Sequence, residues 1–214
     1  MHTNVQDENE VILMTKELES LKQANALMAK ELDFLRNQFN SHITLNFLTY
    51  CYAHALETSE ERAENIAIFS EMIQYSYQIS PGVPVPLKTE IEYIENFISI
   101  QRCITNKVFA NFQYEGCIND KKILPRILVT FIENAFKYGQ FYNEDYPIEI
   151  HLLATPKDIV FKVSNKKVKP GKLFLAHTNS QGTKQMLDSF FNNKYQLKVE
   201  DTELDYSVEL ILHI

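Results

Sequence analysis

The apolar residues of this chain follow two different periods, and the change between them constrains the fold more than any other feature. Up to about residue 105 they recur at helical spacing. From residue 108 they alternate, with Val108, Ala110, Phe112 and Tyr114 set against Phe109, Asn111, Gln113 and Glu115. Spacings of three and four gather side chains on one face of a helix, whereas a spacing of two gathers them on one face of a strand. The expectation is therefore an α+β protein, an all-helical half followed by a half of strands with interleaved helices. Further strands are predicted over Ile148 to Leu153, Ile159 to Val163, Tyr195 to Glu200 and Val208 to Ile214, and helices over Pro125 to Tyr138 and Gly182 to Phe191.

Within the helical half, Val11, Met14, Leu18, Leu21, Asn25, Met28, Leu32, Leu35, Phe39 and His42 form an a/d seam that only Asn25 and His42 interrupt. A seam of about four heptads predicts a coiled coil, and a lone Asn at an a position favours a parallel, in-register homodimer. The other reading of this stripe is an amphipathic helix packed on its own domain. A helical hairpin is predicted from Ser41 to Ile79, with its turn at Glu57 to Glu61, and Pro81, Pro84 and Pro86 then punctuate the chain. A third helix is predicted over about 87 to 104, with Ile91, Ile94, Phe97, Ile98 and Ile100 as its apolar face.

Composition excludes several classes of function. Lys+Arg number 21 against Asp+Glu 28, a net charge of -7 that argues against binding nucleic acid over the whole surface. Cys51, Cys103 and Cys117 lack metal-ligand spacing and fit a reduced, cytosolic setting. No run of about 18 apolar residues predicts a membrane span. With 5 glycines in 214 residues there is little material for a glycine-rich phosphate cradle, and no Walker loop or Ser-His-Asp set is visible.

Two segments carry the residue types of phosphoryl chemistry. In Phe131-Ile132-Glu133-Asn134-Ala135-Phe136-Lys137-Tyr138-Gly139, Lys137 follows Glu133 at i+4 and Asn134 at i+3 on the predicted helix. The Asn134 amide oxygen is a suitable hard ligand for Mg²⁺ when phosphate oxygens complete the shell, and the Glu133 carboxylate can orient water or accept a proton. Taken alone, such a segment is equally a solvated helix face. In the second segment His42 lies among amides and hydroxyls, with Asn46 one turn on, and a neutral imidazole is nucleophilic enough to accept a phosphoryl group.

Together these segments resemble the internal-region (LytS-type) sensor histidine kinases of bacterial two-component systems. The resemblance runs through Asn40-Ser41-His42-Ile43-Thr44-Leu45-Asn46, Phe69-Ser70-Glu71-Met72-Ile73-Gln74-Tyr75 and Leu87-Lys88-Thr89-Glu90-Ile91-Glu92-Tyr93. It continues through Phe97-Ile98-Ser99-Ile100-Gln101 and Leu124-Pro125 to Glu133-Asn134-Ala135, so that it spans roughly residues 35 to 214. The implied fold is an N-terminal coiled coil (1–38), a helical dimerisation and histidine-acceptor domain (39–105), and a Bergerat-type (GHKL) α/β sandwich with a mixed sheet (106–214). The implied activity is ATP- and Mg²⁺-dependent phosphorylation of His42, followed by transfer to an aspartate of a response regulator. By that likeness Asn46 and Glu133 assist at the reacting centre, and Asn134 holds Mg²⁺ and the phosphates. Lys137, Gly139, Asn165 and Gly182 complete the nucleotide site. The implied setting is a cytoplasmic homodimer, either stand-alone or the cytoplasmic part of a membrane-bound sensor.

The sequence also departs from the family pattern. Where an Asp-x-Gly-x-Gly box is expected it reads Asn165-Lys166-Lys167, and the later glycine box keeps only Gly182 in Ser180-Gln181-Gly182-Thr183-Lys184-Gln185. Ser41, Ile43 and Tyr138 replace the usual Pro, Phe and His, while Gln74, Ile104 and Ser189 stand for arginines. Lys166, Lys167, Lys169 and Lys172 put four positive charges on the expected ATP lid, either to attract triphosphate or as a solvated loop. The heptad phase places His42 at a d position, so the seam must splay before His42 can be reached. Two readings follow: an active kinase, or a kinase-derived pseudokinase that serves as a dimeric protein-interaction module.

Overall fold

The computed structural model describes residues 14–25, 28, 41–80, 82–105, 107–169, 180–192 and 194–214, without the side chains of 41–42 and 180–182. The chain divides into two compact units, Met1–Cys51 and Tyr52–Ile214. In the first, residues 14–25 are helical (α1), and Met14, Leu18 and Leu21 of the predicted seam are exposed. Asn25 and Met28 are exposed as well, and the other a/d positions lie outside the described side chains. Helix α2 (Ser41–Leu56) begins in this unit and carries the exposed Ile43 and Phe47.

The second unit opens with the predicted hairpin turn, where the Thr58 and Ser59 amides both donate to the Ala55 carbonyl. Ser59 then caps α3 (Glu60–Gln78), accepting the Arg62 N–H at 3.4 Å, and Glu60 and Glu61 complement the positive end of the helix. Helix α4 (Leu87–Ile104) starts at the proline cluster, where Pro86 ends the two-residue strand β1 (Val85–Pro86). β1 pairs antiparallel with β3 (Lys122–Ile123), a ribbon too short to carry a periodic signal in sequence.

The main sheet has the order β2 (Ala110–Gly116), β4 (Ile148–Ala154), β5 (Asp158–Lys166), β7 (Asp205–His213), β6 (Tyr195–Asp201). β2 and β4 are parallel and joined through helix α5 (Ile127–Tyr138); the other pairs are antiparallel, so the sheet is mixed. The strict alternation in β4 sends Ile148, Ile150, Leu152 and Ala154 to one face. That face packs on α5, which buries Ile127, Leu128, Phe131, Ile132, Ala135 and Phe136. Helix α6 (Ser180–Phe191) adds Leu187 to the same core.

Helix α4 belongs to this core as well. Leu87, Ile91, Ile94 and Ile98 are buried in one cluster with α5 and the sheet, and each contributes about 1.5–3 kcal/mol by leaving water. The sequence boundary near residue 105 therefore falls after a helix that completes the sandwich, and compactness divides the chain at Cys51/Tyr52 instead. A second small cluster of Met72, Tyr93 and Val129 ties α3, α4 and α5 together.

Candidate functional site

The inward-facing pattern of β5 changes chemistry as the strand ends. Ile159, Phe161 and Val163 face the core, and the same period carries Asn165, and Lys167 just past the strand, onto that face as buried residues. β7 runs antiparallel and mirrors the change, with Val208, Leu210 and Leu212 inward and Tyr206 opposite Asn165. An apolar sheet face thus ends in a polar patch, and the C-terminal half of α5 lies against it. Between them is a cavity of about 270 Å³, lined by Asn134, Lys137 and Tyr138 from α5, by Lys167, Val168 and Lys169, and by Tyr206.

Backbone hydrogen bonds fix the walls of this cavity. Gly139 bridges Lys167, Gln140 N donates to Lys166 O at 2.8 Å, and Val168 N donates to Tyr138 O at 3.0 Å. The Gln140 side-chain amide adds a bond to Lys167 O at 2.6 Å. Gly139 is required by space rather than by φ, because a Cβ there would lie 2.4 Å from Ala135 O and 2.9 Å from Asn165 Nδ2. The expected glycine thus serves close packing of α5 on Asn165, while Lys167 N donates to Leu204 O in the β6–β7 turn.

Lys167 stands where the family pattern expects a glycine. Its ammonium is buried in an ion pair with Asp201 and also donates to Thr202 O. It is part of the cavity wall and part of the fold at once. Burial and the Asp201 carboxylate together push the Tyr206 phenol well above its ordinary range. Asn165 donates through Nδ2 to Lys166 O at 3.0 Å, whereas its buried Oδ1 has no hydrogen-bond partner among the described residues.

Glu133 lies one residue before Asn134 but is absent from the cavity lining. It pairs with Arg126, at 3.5 Å between Nη2 and Oε1. Arg126 starts α5 in the left-handed region, φ 62. On α4, Glu90 is fully buried and accepts the Tyr75 hydroxyl of α3 at 2.7 Å, while its Oε2 has no hydrogen-bond partner among the described residues. Burial raises the Glu90 carboxyl, and the Arg126 amide and Tyr75 hydroxyl offset part of the rise. The Tyr75 phenol is pushed far up by burial, then by the Glu90 carboxylate.

Of the residues singled out in sequence, Asn134 and Lys137 reach one cavity, with Gly139 and Asn165 packed beside it. Gly182 is in the first turn of α6. His42 and the exposed Asn46 are in the first unit, and the His42 side chain lies outside the described residues. The predicted lid charge at Lys172 also falls outside them. Sequence reasoning misses Tyr206, Val168, Tyr75, Glu90 and Arg126, and it assigns Lys167 to the lid. The alternation Ile159, Phe161, Val163, Asn165, Lys167 is the signal that could have found the last.

The donor set fits a purine nucleotide with Mg²⁺. The unpartnered Asn165 Oδ1 can accept from an exocyclic amine, Asn134 offers an amide oxygen for a hard cation, and Lys137 and Lys169 bring charge for phosphates. Among the described residues no cluster of three His, Cys, Asp or Glu side chains could hold a metal ion without such a ligand's oxygens. No helix among them is long and apolar enough to cross a membrane.

Residues 30–109 match the family model described as histidine kinase. The matched stretch contains His42, Asn46, Tyr75 and Glu90 and ends before β2. No curated protein sequence matches the chain. Among solved structures, it is similar to the catalytic domain of the histidine kinase ThkA at 13% identity and TM-score 0.42, covering 61% of this chain and 94% of that one. It is similar to the Acinetobacter baumannii histidine kinase AdeS at 10% and 0.43, covering 81% and 95%. The histidine kinase domain of the Erythrobacter litoralis EL346 blue-light activated kinase gives 9% and 0.45, covering 86% and 93%. At these TM-scores no residue correspondence follows.

Proposed function

We propose that this chain is a LytS-type histidine kinase module of a two-component system, which phosphorylates His42 from ATP and passes the phosphoryl group to a response-regulator aspartate. The observation that carries the reading is the gathering of Asn134, Lys137, Asn165 and Tyr206 at the polar end of one sheet face, from segments far apart in sequence. The family match over the stretch that contains His42 supports it independently. The sandwich is read as a Bergerat-type (GHKL) domain.

In this reading Asn165 Oδ1 accepts from the adenine amine, and Tyr206 and Tyr138 flank the base. Asn134 and Lys137 face the phosphates. Bound Mg²⁺ supplies neutralisation of the charge that develops on the phosphoryl oxygens. Glu133 assists proton transfer or water placement, and Asn46, one turn beyond His42, assists at the acceptor. Catalysis of this kind rests on positioning and charge neutralisation, so misplacing one of these groups has a large effect. The working form is a cytoplasmic homodimer assembled through the coiled coil and the helical hairpin.

Two observations favour the pseudokinase. Lys167 occupies a glycine position and is committed to Asp201, and the cavity of about 270 Å³ is just under the common range for ligand sites. The test is incubation of the full chain with γ-labelled ATP and Mg²⁺, beside His42→Gln and Asn134→Ala. The kinase reading expects acid-labile label in the wild type and none in either variant. Label absent from the wild type, with a melting temperature insensitive to saturating nucleotide, refutes both catalysis and nucleotide binding. Label that survives in His42→Gln refutes the acceptor.

A further inference from the structure

We propose that the open edge of the sheet, strand β2 flanked by helix α4, docks an extended segment of a partner protein that carries an apolar and a cationic side chain two residues apart. β2 ends the strand order, and among the described residues no strand pairs with its outer edge. In a parallel pair, alternate residues turn both backbone groups to the same neighbour. Ile148 N donates to Phe109 O at 2.9 Å and Cys117 N to Ala154 O at 2.7 Å, so the odd-numbered residues face β4 and the even-numbered ones face outward. The Arg102 guanidinium donates to Ala110 O at 2.9 Å and Ile118 N to Gly116 O at 3.1 Å, which closes the two ends of the edge. Between them the N–H and C=O groups of Phe112 and Tyr114 face outward. Natural edges are commonly blunted by lysine or proline. Ala110–Gly116 contains neither, whereas β6, at the other edge, carries Lys198.

Two cavities lie in line between this edge and α4. One of about 400 Å³ is bordered by Ile91, Glu92, Tyr114 and Ile118, and one of about 200 Å³ by Ile98, Arg102 and Phe112; Glu95 borders both. An added strand supplies backbone groups at the spacing that Phe112 and Tyr114 require, and its side chains two residues apart fall on one face, here the face of α4. The charges of the groove decide what those side chains are. Lys88 is paired with Glu92 at 3.7 Å and Arg102 is bonded to Ala110 O, which leaves Glu95 exposed and without a cationic partner among the described residues. A lysine or arginine in the larger cavity lays its stem on Ile91 and Tyr114 and brings its charge to Glu95. An apolar side chain in the smaller one covers Ile98 and Phe112. None of these residues borders the nucleotide cavity, so the docking site stands whether or not the chain is a kinase.

The test uses the full chain and a fluorescein-labelled nine-residue peptide in which threonine alternates with valine and the third valine is replaced by lysine. Fluorescence anisotropy is expected to show saturable binding with a Kd below about 1 mM. Tyr114→Pro removes one outward N–H without touching the pairing to β4 and should weaken binding by about tenfold, and Tyr114→Ala, which keeps that N–H, by less. Glu95→Lys should weaken binding by about 5-fold, and a peptide with glutamate in place of the lysine should then bind Glu95→Lys better than it binds the wild type. Absence of saturable binding overturns the proposal, as does binding indifferent to both Tyr114→Pro and the charge exchange. Sedimentation of the peptide-free chain tests the competing occupant: an oligomer that Tyr114→Pro dissociates means that the edge pairs with a second copy, and the partner segment is then overturned. If Tyr114→Pro does not fold, the charge exchange at the exposed Glu95 decides alone.

Discussion

Replacing Asp201 with Ala would leave the Lys167 ammonium buried without its carboxylate. The Lys167 side chain is 4% exposed and that of Asp201 11%, so water cannot take the place of the lost group. Breaking a buried pair by removing one partner costs about 3–5 kcal/mol. Because Thr202 O remains as an acceptor and Asp201 lies near the turn, the lower end, about 3 kcal/mol, is expected. For a folded unit of this size that loss lowers the melting temperature by about 6–12 °C. Denaturant unfolding followed by circular dichroism measures it on the full chain. A buried pair is screened little, so the loss should be nearly the same in low and high salt. The paired replacement Lys167→Met with Asp201→Leu should recover most of the stability, since apolar residues of similar size substitute for buried ion pairs without loss. A loss below about 1 kcal/mol, the value of a surface pair, would refute the argument that Lys167 is structural. So would additive effects of the two replacements.

Two further outcomes follow from the fold. Gly116 ends β2 at φ +97, and a Cβ there would lie 2.1 Å from Ala154 O, so Gly116→Ala should destabilise by at least about 2 kcal/mol in the same assay. The raised Glu90 carboxyl makes stability depend on pH: the protonated form is favoured by folding, so its contribution is complete below the ordinary carboxylate range. That contribution is lost as pH rises through the raised folded value. Stability profiles of the wild type and Glu90→Gln should therefore diverge above the ordinary carboxylate range, with the variant relatively more stable at neutral pH; parallel profiles would contradict the assignment.

Elements with strong periodicity are legible in the residues alone. The switch of period near residue 105 separates helix from strand, and the helix predicted over about 87 to 104 is observed as Leu87–Ile104. What period cannot reveal is which elements share a core. An amphipathic stripe such as Ile91, Ile94 and Ile98 says that α4 packs on something, and only the fold shows that the sheet's own helix α5 is the partner. The site is half legible. Asn134 and Lys137 lie on one helix at close spacing, so one motif announces both. Tyr206 meets them only through strand pairing with Asn165. Nothing local in the sequence marks Glu90 as a carboxyl that will be fully buried and bonded to a hydroxyl of another helix.

The strand-end patch has a consequence for what a sequence motif can mean in this chain. Every wall of the cavity comes from a different stretch, and the walls close only when the exit of β5 is hydrogen-bonded to Gly139 and Gln140 on one side and to Leu204 on the other. The pocket is thus a product of long-range assembly, and it requires that the central strands have paired. A fragment that stopped short of β7 would keep Glu133, Asn134 and Lys137 letter for letter, yet it would enclose no volume. Possession of the motif and possession of the site are separate properties, joined here by the last antiparallel pairing of the sheet.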